Sequence, residues 1–68
     1  MTFSHGDKVV IHDGFKLYNF KGGYENTYTV SRCFFDEVHG VEFIEFFDGS
    51  VKYCYPSQAF DIVENRHD

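Results

Sequence analysis

The chain has 68 residues, with nine Phe, five Tyr and no Trp, and its formal net charge is −5. A chain this short forms a single domain, which buries only about 60% of the surface that its unfolded chain exposes. The Phe and Tyr rings exceed what one small core needs, so we expect several of them at the surface, where exposed aromatic clusters mark binding faces. The negative charge disfavours nucleic acid, which Lys and Arg bind, and favours a basic protein partner.

The sequence predicts neither a signal peptide nor a membrane-spanning segment. The N-terminal residues lack a basic start and an apolar run, and no stretch reaches the roughly 18 apolar residues of a membrane span. We therefore expect no signal peptide, no membrane association and a cytoplasmic location. The four His residues are not spaced as zinc ligands, so we also expect no metal and no cofactor.

The two cysteines, Cys33 and Cys54, are too few for a disulfide framework. We expect them on strands that flank a third, hence roughly 10 Å apart and beyond disulfide reach. Both are therefore predicted to be free thiols. A nucleophilic Cys33 activated by His12 or His39 is conceivable, but a structural role as small buried residues is favoured.

The first predicted strand covers residues 8–12, a β-branched run between two Gly-Asp or Asp-Gly turns. A long loop over 15–26 follows, and loops of this length in small domains are usually functional or folded over the core. We expect Phe15, Leu17 and Phe20 to form a lid on the core. For the tyrosines, Tyr18, Tyr24 and Tyr55, binding and burial stay equally open, because each hydroxyl needs a polar partner.

The second strand is predicted at 27–35, with Tyr28, Val30, Arg32 and Phe34 on one face. A turn over 36–40 leads to a third strand at 41–47, whose apolar residues change face midway. We interpret that change as a β-bulge in this strand, with coverage of both faces as the alternative.

Asp48-Gly49 predicts a two-residue type I′ turn, because both central residues need positive φ, and a fourth strand at 50–55 follows it. Residues 56–59 are too few for an α-helix and predict one 3₁₀ turn before a last strand at 60–64.

Two segments resemble parts of known small barrels. The run Pro56-Ser57-Gln58-Ala59-Phe60-Asp61-Ile62-Val63 resembles the closing segment of the Src-homology-3-like (SH3-like) barrel, and the run Gly6-Asp7-Lys8-Val9-Val10-Ile11 with Gly14 and Phe15 resembles the start of KOW and Tudor-type barrels. The resemblance implies an all-β, five-stranded SH3-like barrel over about residues 6–64, within one domain spanning 1–68. The chain has no Trp, and Ala59 stands where proline-binding members carry Tyr, so polyproline binding is not implied.

We expect a non-enzymatic protein-binding module, a small accessory or regulatory factor that docks onto a larger bacterial or phage protein complex. Its binding face is predicted to comprise Tyr18, Phe20, Tyr24 and Tyr55 with Lys16 and Lys21. Rings of this kind could also form the aromatic cage of a Tudor-type domain.

Three alternatives stay open. One is a KOW-like or Tudor-like nucleic-acid module that contacts phosphates through Lys8, Lys16, Lys21, Arg32 and Lys52. Another is an acidic mimic of nucleic acid built on Asp36, Glu37, Glu42 and Glu45. The third concerns assembly: a second copy covering the strand at 41–47 would make the protein a homodimer.

Overall fold

The computed structural model describes residues 2–17 and 20–64. It contains five strands and one 3₁₀ turn: β1 (Lys8–Ile11), β2 (Tyr28–Asp36), β3 (Val41–Asp48), β4 (Val51–Pro56), the 3₁₀ turn (Ser57–Ala59) and β5 (Phe60–Glu64). Every pairing is antiparallel, and the strand order is β4-β3-β2-β1-β5. The all-β class, the long loop after β1 and the 3₁₀ turn before β5 are confirmed. Within the described residues β4 and β5 are the two edges of the sheet, which is compatible with an SH3-like fold.

The sheet bends in β2. Tyr28 and Thr29 pair with β1, whereas the second half of β2 pairs with β3, and the register shifts between Val30 and Arg32. Ser31 is therefore the extra residue of a bulge, which increases local twist. The predicted bulge in the third strand is wrong, because β3 pairs with β4 without any shift.

The bulge also divides β2 differently from the prediction. Val30 pairs with the buried Phe46, but after Ser31 it is Cys33 that pairs with the buried Ile44. Arg32 and Phe34 consequently lie on the opposite face of the sheet from Tyr28 and Val30, not on the same one. Phe43 and Phe47 lie on the same face as Arg32 and Phe34, because the side chains of β3 alternate regularly between the two faces of the sheet.

The hairpin between β3 and β4 is confirmed, with its turn one residue later than predicted. Asp48 pairs with Val51, so the central residues of the turn are Gly49 and Ser50. Gly49 has a φ of +64°, a conformation that favours glycine. Asp48 instead ends the β3 ladder.

The core lies on the inner face of the sheet. Val9, Val30, Ile44 and Phe46 are completely buried, and Phe60 of β5 contacts Phe46 with ring centroids 5.4 Å apart. This contact joins β5, at one edge of the sheet, to β3. No helix in the described ranges is long and apolar enough to cross a membrane.

Candidate functional site

The long loop folds back onto the core through Phe20. Its ring contacts five others, those of Tyr24, Tyr28, Phe46, Tyr53 and Tyr55, at centroid distances of 5.0 to 6.3 Å. Most of these contacts are edge-to-face, the geometry that aromatic quadrupoles favour. Phe20 is thus the centre of an aromatic cluster that attaches the loop to β2, β3 and β4.

Hydrogen bonds fix the path of the loop around this cluster. The Tyr28 hydroxyl donates to the Gly23 carbonyl at 3.0 Å, and the Leu17 amide donates to the Tyr24 hydroxyl at 3.1 Å. Gly22 passes so close to the cluster that a Cβ there would lie 2.5 Å from the Tyr28 hydroxyl and 2.7 Å from Phe20 Cζ. Only glycine fits at this point without displacing a ring.

A groove opens where the loop turns away from the cluster. Its volume is about 410 Å³, and its lining consists of Asp13, Gly14, Phe15, Lys16 and Tyr24. Phe15 and Tyr24 are 38% and 43% exposed, so the groove presents two rings to solvent with one carboxylate and one ammonium group beside them. This combination can bind an apolar side chain together with a charged group.

The predicted lid forms only in part. Leu17 and Phe20 pack against the core as expected, whereas Phe15 lines the groove. The prediction failed for Phe15 because its ring packs edge-on against His12, with centroids 5.6 Å apart, at the start of the loop.

The structure brings three of the predicted binding-face rings together. Phe20 lies 5.2 Å from Tyr24 and 5.9 Å from Tyr55 between ring centroids. Lys16 lines the groove, and Lys21 is an exposed residue beside Phe20 in the chain. Tyr18 lies outside the described residues.

Tyr55 belongs more to the cluster than to the groove. Its ring stacks on Tyr53 with centroids 6.0 Å apart, and it is only partly exposed. Burial, together with the nearby Tyr53 and Tyr24 hydroxyls, raises the pKa of the Tyr55 hydroxyl. Tyr55 therefore stays protonated at neutral pH.

One side of the groove is supported by a contact between distant parts of the chain. His12 Nδ1 lies 2.7 Å from Asp61 Oδ2, and the His12 amide donates to the Ala59 carbonyl. Because the His12 ring also contacts Phe15, this pair links β5 to the groove wall. The sequence gives no sign of it, since 49 positions separate the two residues.

A polar cluster that the sequence analysis missed surrounds Glu42. Its carboxylate accepts hydrogen bonds from the Ser57 hydroxyl at 2.6 Å and from the Thr2 amide at 2.9 Å. Partial burial alone would raise the pKa of Glu42, but these bonds and one from the Cys33 thiol outweigh it and lower the pKa to about 2. Glu42 is thus a partly buried anchor, which sets it apart from the surface that an acidic mimic of nucleic acid requires.

The cysteines lie as predicted on strands that flank β3, and both are free thiols. Burial raises the pKa of Cys33, and the nearby Glu42 carboxylate raises it further. A raised pKa keeps the thiol protonated, which opposes nucleophilic chemistry. His12 pairs with Asp61 and His39 pairs with Asp36, and no three His, Cys, Asp or Glu side chains of residues 2–17 and 20–64 are grouped to hold a metal ion.

The charged residues of the alternative hypotheses are dispersed. Arg32 and Lys52 both lie near the Glu45 carboxylate, at 3.3 and 3.9 Å, while Lys8 donates to the Thr29 hydroxyl. Glu42 and Glu45 fall on opposite faces of β3, because three positions separate them along a strand. Glu45 therefore partly neutralises Arg32 and Lys52, and Glu42 and Glu45 do not share one acidic surface.

No protein-family model, curated protein or solved structure matches this chain. Its function is consequently inferred from the geometry of the loop and the groove.

Proposed function

We propose that this protein is a non-enzymatic protein-binding module with an SH3-like fold, and that the groove of the long loop binds a segment of its partner. The observation that carries the proposal is the exposure of Phe15 and Tyr24 on one groove. The groove lies next to the cluster centred on Phe20, whose other rings are more deeply buried than these two. Exposed rings with polar neighbours are typical of recognition surfaces.

The partner segment that fits best is apolar with at least one basic residue. A volume of about 410 Å³ accommodates only one or two large side chains, and Asp13 supplies a carboxylate beside the rings. The net charge of −5 attracts a basic partner over a longer range. On this basis we infer an accessory or regulatory factor that docks onto a larger bacterial or phage protein complex.

Site-specific photo-crosslinking in cells of the source organism tests this proposal. Benzoylphenylalanine replaces Phe15 or Tyr24 in the groove, and Phe35, 53% exposed on β2, serves as the matched control position. We expect positions 15 and 24 to crosslink the same protein while position 35 does not. Purified partner should then bind the native chain, with at least tenfold weaker binding to Tyr24→Ala and unchanged binding to Phe35→Ala.

Two results would overturn the proposal. Crosslinks from position 35 alone would place the binding surface elsewhere on the sheet. Crosslinks to nucleic acid, together with a gel shift that weakens steeply as salt rises, would favour the KOW-like alternative.

A further inference from the structure

The sheet has a second apolar surface on the side opposite the core, which we call the outer face. The strand register places Phe34, Phe43 and Pro56 side by side across β2, β3 and β4. These three residues, the apolar row, are only partly buried, and the Phe34 and Phe43 rings contact each other at 6.0 Å. Phe47, further along β3 on the same face, is 50% exposed.

Charges of opposite sign flank the apolar row. On one side Arg32 places its guanidinium 4.5 Å from the centre of the Phe34 ring and near Glu45. Lys52 shares the same carboxylate, so this side carries an excess of positive charge. On the other side lies Asp36, which pairs with Val41 at the end of the ladder.

We propose that the outer face is the contact between two copies of this chain, related by a two-fold axis that runs along the apolar row. The row of each copy then packs against the same row of the other. The axis exchanges the two flanks, so Arg32 of each copy meets Asp36 of the other, which is the self-complementarity that a symmetric interface requires. An axis along the strands would instead bring the two Glu45 carboxylates together.

The same axis accounts for two exposed apolar side chains near the ends of the face, Phe47 and Val38. It carries Phe47 of one copy towards the β2–β3 turn of the other, which includes the 90% exposed Val38. Two sheets pack in this way with their strands roughly 30° apart. The interface therefore extends over the full length of β3.

The size of the outer face predicts a reversible dimer. Three strands about 4.8 Å apart and four rows about 7 Å apart give on the order of 500 Å² per copy with margins. A standard stable interface buries roughly 800 Å² per partner. We therefore expect a weak, reversible dimer that forms independently of the loop groove.

Charge reversal on separate copies tests the arrangement. In Arg32→Asp the residues at positions 32 and 36 that meet between two identical copies are both acidic, and in Asp36→Arg they are both basic. We expect sedimentation equilibrium to show dimerisation at least tenfold weaker for each variant alone. An equimolar mixture of the two should regain a dimer at least as tight as the native one, because opposite charges meet again.

If circular dichroism shows that either charge variant is unfolded, a second pair of variants tests whether the outer face is the dimer contact. Phe43→Ser removes a ring from the proposed axis, and Phe35→Ser is the matched control on the other face of the sheet. We expect at least tenfold weaker dimerisation for the first and no change for the second. The proposal is overturned if the native chain stays monomeric at 1 mM, if the folded charge variants do not complement each other, or if Phe35→Ser weakens the dimer as much as Phe43→Ser.

Discussion

The long loop has two aromatic regions that contrast with each other. Phe20, with Leu17, packs into the core, whereas Phe15 and Tyr24 line an open groove a few residues away. The residue types are nearly the same in both regions. What differs is the surroundings: Phe20 has five ring neighbours, while Phe15 contacts the ring of a half-exposed His12. Composition therefore shows that surplus rings exist, but only the path of the backbone shows which ones they are.

The largest effect should come from the core side of this contrast. Phe20→Ala removes the ring that joins the loop to β2, β3 and β4, and we expect a loss of about 2–4 kcal/mol of unfolding free energy. That is a large part of the stability of so small a domain. Urea unfolding measures it, with Phe35→Ala as a control of similar size. Equal losses in the two variants would contradict the role of Phe20 as the centre of the cluster.

Most of the fold could be predicted from local pattern. The strands and the 3₁₀ turn follow from β-branched and aromatic alternation punctuated by Gly, Asp and Pro. The bulge that the sequence predicts in β3 lies in β2 instead, because the sequence shows that the phase changes but not which of two paired strands carries the extra residue. The small residue Ser31 is the extra residue of the bulge in β2. Because β3 has no extra residue, Phe43 and Phe47 keep their regular alternation on the outer face.

The candidate site was only partly predictable, for a related reason. Tyr24 and Lys16 stand out as polar-tipped or charged residues in a long loop, and they line the groove. Phe15 and Phe20 are identical in type, so only the contacts with His12 and with the cluster distinguish them. The Glu42 cluster joins residues from the N-terminal segment, β3 and the 3₁₀ turn, and no local pattern encodes such an arrangement.

Low pH distinguishes the polar cluster around Glu42 from the aromatic cluster around Phe20, because it protonates the Glu42 carboxylate and leaves the ring contacts unchanged. The pKa of Glu42 in the folded chain, about 2, lies below its ordinary value of 4.5. The stabilisation is therefore complete above about pH 5 and is lost as pH falls towards 2. After allowance for solvent screening we expect about 1–2 kcal/mol from this group.

Urea unfolding of the native chain and Glu42→Gln at pH 7 and pH 3 measures this contribution. The variant should be less stable at pH 7, and the difference should shrink at pH 3. Glu37→Gln, in the exposed turn before β3, is the matched control. A difference between the native chain and Glu42→Gln that persists unchanged at pH 3 would mean that the carboxylate charge is not what stabilises the anchor.

Gly22→Ala examines how closely the loop is held against the cluster. The added methyl group would meet the Tyr28 hydroxyl and the Phe20 ring, so one of them must shift. We expect a loss of about 1 kcal/mol and faster exchange of the amides near the Tyr28–Gly23 hydrogen bond. Gly14→Ala controls for the lost flexibility of a loop glycine, although its φ of +95° adds strain of its own. Unchanged amide exchange around Gly23 in Gly22→Ala would show that the loop is not held there.

The last prediction concerns the groove, and it tests the central claim that Phe15 and Tyr24 contribute less to the fold than Phe20 does. The measurement is urea unfolding of the double variant Phe15→Ala, Tyr24→Ala beside Phe20→Ala. We expect the double variant to lose less unfolding free energy than Phe20→Ala does, because both rings are already more than a third exposed. If two groove substitutions destabilise the chain as much as Phe20→Ala does, these rings are part of the core and the groove is not a binding site.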